Sequence, residues 1–491
     1  PPFFFNYSAT PFIYTLSLHD ALPIFMPGCE ILQSFDLVHW EHVTYVYETL
    51  DHTDAQQLKS GHNIYGQGMW AASLRYHEGR FYICFVANDT RKTYLYTSEK
   101  IDGPWKKQLI EGFYHDGSLL FDEDGRNYIV YGNDEIWITE LNEDLTAPKK
   151  DGLHRLLVSD HKNPELGYEG SHIQKINGYY YIFLIHSLRD RWMRTEACFY
   201  SDSLEGEFTG GDVLCDDRGY CGQGVAQGGI VDTPDGKWYA MLFQDSGAVG
   251  RLPILLPVTW KDHFPVFGQN GHVPEEIEVH STRPGYIYQP LVGSDDFCNG
   301  LLPRWQFNHD PDPRYYHLDA LQGTYTITTR EVCTELTQAV NTLTQRMSYP
   351  SCAAEVTVDA SALKEGDVAG LCALQSCYAA VGITKHHGKY EVLMLDKKED
   401  GILDMTEGTV VESHQMDFRL EADFCNMKDE ARCYYRVNKG DWLPIGTVHK
   451  LYFKLDHFTG CRFGLFCYAA EETGGSACFR DFKYYDVDEI S

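Results

Sequence analysis

Four times along this chain a turn glycine is followed by one or more aromatic residues and then a short apolar run. The phrases are His77-Glu-Gly-Arg-Phe-Tyr82, Asp124-Gly-Arg-Asn-Tyr128, Asn177-Gly-Tyr-Tyr-Tyr181 and Asp235-Gly-Lys-Trp-Tyr239. A turn glycine that feeds an alternating strand is the pattern of a tight β-hairpin. Gly79, Gly125, Gly178 and Gly236 recur at intervals of roughly 50 residues, which predicts a β-propeller with one phrase per four-stranded blade. Trailing phrases follow in two repeats, Leu95-Tyr-Thr-Ser98 up to Trp105 and Phe199-Tyr-Ser-Asp202 up to Phe208. A further trailing phrase, Ile31 to Trp40, has no leading phrase before it. The arithmetic predicts five blades, the first of them incomplete.

Residues 1–25 stand apart from the rest. They contain His19 and Asp20 but no Lys, Arg or Glu, in a chain that is 23% charged. No basic region precedes the apolar run, so a secretory signal is not indicated. Pro1, Pro2, Pro11 and Pro23 interrupt a stretch too short to span a membrane. The string Leu16-Ser-Leu-His-Asp-Ala-Leu-Pro-Ile24 resembles translated sequencing-adapter read-through, so residues 1–25 are read as a non-native segment; a genuine variable arm is the alternative.

The balance of 71 acidic to 41 basic residues, a formal charge of −30, argues against nucleic acid or an anionic membrane surface as partner. It tolerates a neutral ligand, and 14% aromatic residues suits a sugar binder. Fifteen cysteines are scattered without C-x-x-C spacing. Cys84, Cys372 and Cys467 lie in apolar runs, where a thiol acts as a small hydrophobe. This favours a reducing, cytoplasmic setting over zinc or a disulfide framework. A homo-oligomer is compatible with the composition.

The repeats fade after Pro253-Ile-Leu-Leu-Pro-Val-Thr-Trp260, and Ser281-Thr-Arg-Pro-Gly285 marks a boundary. Beyond it Thr324–Thr328, Ala353–Asp359, Tyr390–Leu395 and Arg462–Phe466 are apolar or alternating runs between turn residues. They predict an antiparallel β-sandwich. The expected organisation is all-β: a propeller over residues 26–285 and a sandwich over 290–491.

Two carboxylates hold similar positions before their hairpins. Asp116 lies in Tyr114-His-Asp-Gly-Ser118 and Glu169 in Tyr168-Glu-Gly-Ser-His172. The shared offset places both on innermost strands of adjacent blades. Each precedes Gly-Ser, which is expected to let the backbone pass close to a ligand. Paired carboxylates serve glycoside hydrolysis, one as proton donor and another to activate water or tune its partner. A turn cap or a buried pairing with Arg is the structural alternative.

The series Gly68-Met-Trp-Ala-Ala72, Tyr114–Ser118, Tyr168–His172 and Gly250-Arg-Leu-Pro to Trp260 resembles glycoside hydrolase family 43. The resemblance is to its β-xylosidase branch, which carries a C-terminal concanavalin-like sandwich. Gln227 to Tyr239 and the ending Phe458-Thr-Gly-Cys-Arg-Phe-Gly-Leu-Phe466 extend it over nearly all of the chain after residue 25. The resemblance implies Glu169 as general acid and Asp116 as the carboxylate that orients it and adjusts its pKa. The family's general base is an Asp in an Asp-Pro motif on the first innermost strand. Asp20 is followed by Ala, so no base is assigned and the chain as it stands is expected to be inactive.

The resemblance further implies that Trp70 walls the sugar site and that Arg251 reaches the sugar hydroxyls. For Trp70, blade-to-blade packing is an equal alternative. His115 either lines the pocket or is an ordinary strand histidine. Gln227 stands where many relatives have a His near the axis, which weakens the case for a central calcium ion. Oxygen ligands remain compatible with one, but no dedicated calcium loop is present and no cofactor is required. Phe458 is a candidate contact from the sandwich to the pocket. The implied reaction is release of xylose from the end of xylo-oligosaccharides or arabinoxylan fragments, with inversion. An α-L-arabinofuranosidase and a catalytically silent glycan-binding propeller are the rival readings.

Overall fold

The computed structural model describes residues 24–454, 456–457 and 459–486. Four complete four-stranded antiparallel blades are present, each with a recurring glycine in the turn between its first two strands. Blade two is Ser73–His77, Arg80–Ala87, Lys92–Ser98 and Lys106–Ile110. Blade three is Ser118–Phe121, Asn127–Asn133, Glu135–Leu141 and His154–Ser159. Blade four is Glu169–Ile176, Tyr179–Ser187, Arg194–Ser201 and Thr209–Leu214. Blade five is Val225–Asp232, Trp238–Asp245, Arg251–Lys261 and Phe264–Phe267. The remaining blade consists, among the described residues, of two strands, Gly28–Gln33 and Glu41–Tyr47. The five-blade expectation therefore resolves into four blades and a half-blade.

The four glycines have φ between 78° and 85°, with open space where a Cβ would stand, so conformation rather than crowding requires them. The hairpins they close are of two kinds. Glu78-Gly79 and Asn177-Gly178 both have positive φ at both residues, as in a two-residue type I′ turn. The other two are wider. Asp122 N–H donates to Arg126 O and Gly125 N–H to Asp122 O; Thr233 and Gly236 repeat that pattern against Lys237 O and Thr233 O.

The innermost strands are joined by side chains. The Ser73 hydroxyl donates to Gly117 O at 2.9 Å, and Ser118 Oγ accepts the Ile173 N–H at 3.0 Å. Ser171 Oγ lies 2.8 Å from the carbonyl oxygens of both Asp116 and Val130. Arg75 reaches further, donating to Leu119 O at 3.0 Å and Ile173 O at 2.9 Å. One guanidinium thus ties the inner strands of blades two, three and four. Outside this polar ring the blades pack through apolar faces, such as Tyr128, Val130, Ile173 and Ile182 between blades three and four.

The C-terminal half is a sandwich of two sheets. One contains Gln306–Asn308, Leu343–Arg346, Arg462–Tyr468, Val368–Leu374, Ala379–His386 and Lys389–Lys397 in that order; the other is built around Ser476–Asp486, Ser351–Asp359, Gln415–Asp423 and Glu430–Val437. Phe25 and Met26 extend the first sheet by pairing with Asn308 and Phe307. Ile24 and Phe25 are fully buried against Leu336, Cys372, Tyr378 and Phe466. These two residues of the compositionally distinct segment are thus part of the sandwich packing.

The Ser281–Gly285 stretch does not hang free between the domains. Thr282 N–H donates to Phe35 O at 2.8 Å, Phe35 N–H to Tyr288 Oη at 2.7 Å and Gln289 N–H to Glu41 at 3.1 Å. The connection is laced to the half-blade. The sandwich docks against the propeller through Tyr65 Oη to Thr337 O, Tyr45 Oη to Pro303 O, and Cys461 N–H to Ala248 O.

Candidate active site

Asp116 and Glu169 meet, as their matching offsets predict. Asp116 precedes the innermost strand of blade three with φ at 48°, and Glu169 is the first residue of the innermost strand of blade four. His115 stands between them, with Nε2 3.7 Å from Asp116 Oδ2 and 3.7 Å from Glu169 Oε2. Nitrogen and carboxylate oxygens of the three all lie within 4.8 Å of one another, a donor set that could hold a proton network or a cation. Asp116 is almost closed off, at 5% side-chain exposure, whereas Glu169 keeps 17% and so stays open to a ligand.

The charges are mutually adjusted. Burial pushes the Asp116 carboxyl up to about 6, with the Glu169 charge adding to this and His115 and Arg251 opposing it. Burial also disfavours the charged form of His115, but the charges of Asp116 and Glu169 outweigh it and hold its pKa up at about 9. His115 lies in the turn that precedes the Ser118–Phe121 strand, not on the strand, and faces both carboxylates.

The serines of the Gly-Ser pairs after each carboxylate, Ser118 and Ser171, join neighbouring blades. Gly170, at φ 66°, is needed because a Cβ would come within 2.5 Å of the Gln227 side chain. The Gln227 side chain thus backs the residue that follows Glu169. Its N–H donates at 2.7 Å to Glu196, a fully buried carboxyl that burial pushes well above the usual range.

Trp70 lies at the edge of the cluster, its ring centroid 5.5 Å from that of His115. Arg251 is buried over the Phe243 ring at 4.2 Å and 3.3 Å from Asp245, and its charge is felt at Asp116. Phe458 and Asp20 lie outside the described residues.

Two functional neighbours escaped the sequence reading. Asn133 Nδ2 donates to Glu169 Oε2 at 2.7 Å from the end of blade three's second strand. Asp245 holds Arg194 at 2.5 Å as well as Arg251. Both close the second strand of a blade, opposite the hairpin glycine. That position is the one signal that points to the site end.

A propeller whose inner strands present an accessible Glu beside a buried Asp is the architecture of a glycosidase. The family model described as Glycosyl hydrolases family 43 matches residues 2–265, and the Beta xylosidase C-terminal Concanavalin A-like domain matches residues 294–485. The chain belongs to glycosyl hydrolases family 43. A putative beta-xylosidase of Xylanibacter ruminicola is 28% identical over 376 residues, covering 73% of this chain and 67% of that protein. The solved structure of a bifunctional GH43-CE protein of Bacteroides eggerthii has a TM-score of 0.87 and 41% identity over 95% of this chain. This chain spans 60% of that protein's length. A GH43 enzyme, engineered at its active site to show both endo-xylanase and exo-arabinofuranosidase activity, superposes with a TM-score of 0.81 at 26% identity, covering 94% of each chain.

Proposed function

We propose that this chain is an exo-acting glycoside hydrolase that releases xylose from the non-reducing end of xylo-oligosaccharides by inversion. The observation that carries the reading is the pairing of an open Glu169 with a closed Asp116 across His115, 3.7 Å from each. Glu169 delivers a proton to the glycosidic oxygen as the bond to the leaving sugar breaks. Asn133 fixes the carboxyl through Oε2, and Asp116 with His115 sets the charge around it. Trp70 walls the sugar, and Arg251, held by Asp245, faces its hydroxyls. An inverting site also needs a group that activates water on the opposite face. No described residue is assigned that role, and residues 1–25 offer only Asp20, without the following Pro. Turnover is therefore expected to be at least about 10²-fold below that of the same chain given an Asp-Pro first strand.

The chemistry in this reading is carried by the chain's own carboxylates, and no step of it calls on a cofactor. An α-L-arabinofuranosidase is the second reading, supported by the exo-arabinofuranosidase activity named for a structural neighbour. Comparing kcat/KM on aryl xyloside and aryl arabinofuranoside separates the two. The decisive test of the acid uses the chain carrying an Asp-Pro first strand. There Glu169→Gln is expected to reduce xylobiose hydrolysis by about 10³-fold or more, and to spare an aryl xyloside whose phenolate leaves without a proton. Xylobiose turnover within a few-fold of the parent removes Glu169 as the acid.

A further inference from the structure

Trp192 is one of the most exposed large apolar side chains of the propeller, at 46%. It stands in the turn between Tyr179–Ser187 and Arg194–Ser201, whose ends pair as Ser187 with Arg194. Glu169 pairs with Ile185, two residues before that end, so the turn rises from the same rim of blade four as the acid. Trp192 is not a stray surface aromatic. The Arg194 guanidinium lies 5.2 Å from its ring and 5.5 Å from the ring of Phe243, and Arg251 covers Phe243 at 4.2 Å. Asp245 binds both arginines, at 2.5 and 3.3 Å. Four planar groups are thereby connected in series, from solvent at Trp192 to Arg251, whose charge reaches Asp116.

Such a series fixes the indole with one side supported by a cation and the remainder free for contact. The Arg194 side chain is only 10% exposed, so its position is set by packing and pairing rather than by solvent. Next to Trp192 in the same turn, Asp190 and Arg191 pair at 2.9 Å and remain 72% and 57% exposed, which offers an acceptor and donors beside the indole's stretch of chain. An apolar plate flanked by hydrogen-bonding groups suits a pyranose, whose C–H face stacks while its hydroxyls reach polar neighbours.

We propose that Trp192 is a sugar-stacking platform for the leaving-group part of an oligosaccharide, positioned on the catalytic centre through Arg194, Asp245 and Arg251. This rests on the exo reading above. If the terminal sugar fills the pocket at Glu169, the rest of the chain leaves across the rim, where the blade-four turn presents Trp192. The platform then sets a preference for longer xylo-oligosaccharides over xylose, and it does so through binding rather than through the proton transfer.

The test is calorimetric titration of xylose and xylotriose into the full chain carrying Glu169→Gln, alone and combined with Trp192→Ala or Trp192→Phe. The ratio of xylotriose to xylose affinity is expected to fall about five- to tenfold with Trp192→Ala. It is expected to stay within about twofold with Trp192→Phe, which keeps an aromatic face. Melting temperatures confirm that each variant is folded, and the Phe variant keeps the test open if the Ala variant is not. An unchanged ratio in Trp192→Ala, with xylose still bound, overturns the platform and leaves the proposed function standing. Failure of the Glu169→Gln chain to bind either sugar overturns both.

Discussion

The propeller and the sandwich bury different things. In the sandwich Val356, Val358, Leu371, Phe463 and Leu465 form one dry core, each at 1% exposure or less. At the heart of the propeller the buried groups include Asp116, His172, Glu196 and Gln227, ringed by Ser73, Ser118 and Ser171. Burying a polar group costs free energy unless it is bonded, and burying a charge costs more. The propeller retains charges that act on one another, since Asp116 and Glu169 stand beside the same imidazole. Burial shifts groups in both halves, raising the Cys461 thiol and lowering His457 in the sandwich; what sets the propeller apart is that its shifted groups, Asp116 and His115, face one another beside the more open Glu169.

The sharpest way to break that comparison is to damage the dry side first. Phe463 is fully buried, its ring 5.5 Å from that of Tyr484 across the two sheets. Phe463→Ala is expected to cost about 3–5 kcal/mol of stability, read by urea or thermal unfolding. The loss should be the same at pH 6 and pH 9.5, since no ionisable group is removed. A loss that changes steeply with pH would mean that the packing of Phe463 is coupled to the titrating groups around it, such as Tyr484.

The wet side should behave in the opposite way. His115 has a folded-state pKa of about 9, above its ordinary value of 6.5. A raised histidine contributes stability that is fully present below about pH 6.5 and is lost as pH rises through about 9. His115→Gln should therefore destabilise by roughly 3 kcal/mol at most at pH 6, and the deficit should fade by pH 9.5. Asp116, raised to about 6, works in a lower window: its contribution is present below about pH 4 and is lost as pH rises through 6. Melting temperatures of parent and variant across pH 5–10 check the sign. A deficit that grows above pH 7 would contradict the charge arrangement.

The smallest effect tests whether Glu196 is buried as a neutral acid. Its Oε2 accepts the Gln227 N–H, and the carboxyl is fully buried. Glu196→Gln keeps an acceptor of the same shape and should cost less than about 1 kcal/mol, whereas Glu196→Ala leaves the Gln227 N–H without that acceptor and should cost about 1–3 kcal/mol. Equal losses would show that the negative charge, not the acceptor, is what matters.

Much of this molecule is legible in the amino-acid order alone. The turn glycines with their following strands place four hairpins, and the shared offset from the hairpins brings Asp116 and Glu169 to the starts of adjacent inner strands, Asp116 just before its strand and Glu169 as the first residue of its own. The sandwich strands Thr324–Thr328 and Arg462–Tyr468 fall where alternating apolar runs predict them. These features are local: hydrophobic period and turn chemistry act over a few residues. Local rules do not say which blade touches which, or what meets at a rim. Asn133 on Glu169, Ser171 on Asp116 and Val130, and the series Trp192, Arg194, Phe243, Arg251 join residues from different strands and blades. Closing the ring brings these partners within hydrogen-bond and stacking distance. The excess charge at its centre then follows from burial, which a sequence cannot display until its strands have packed.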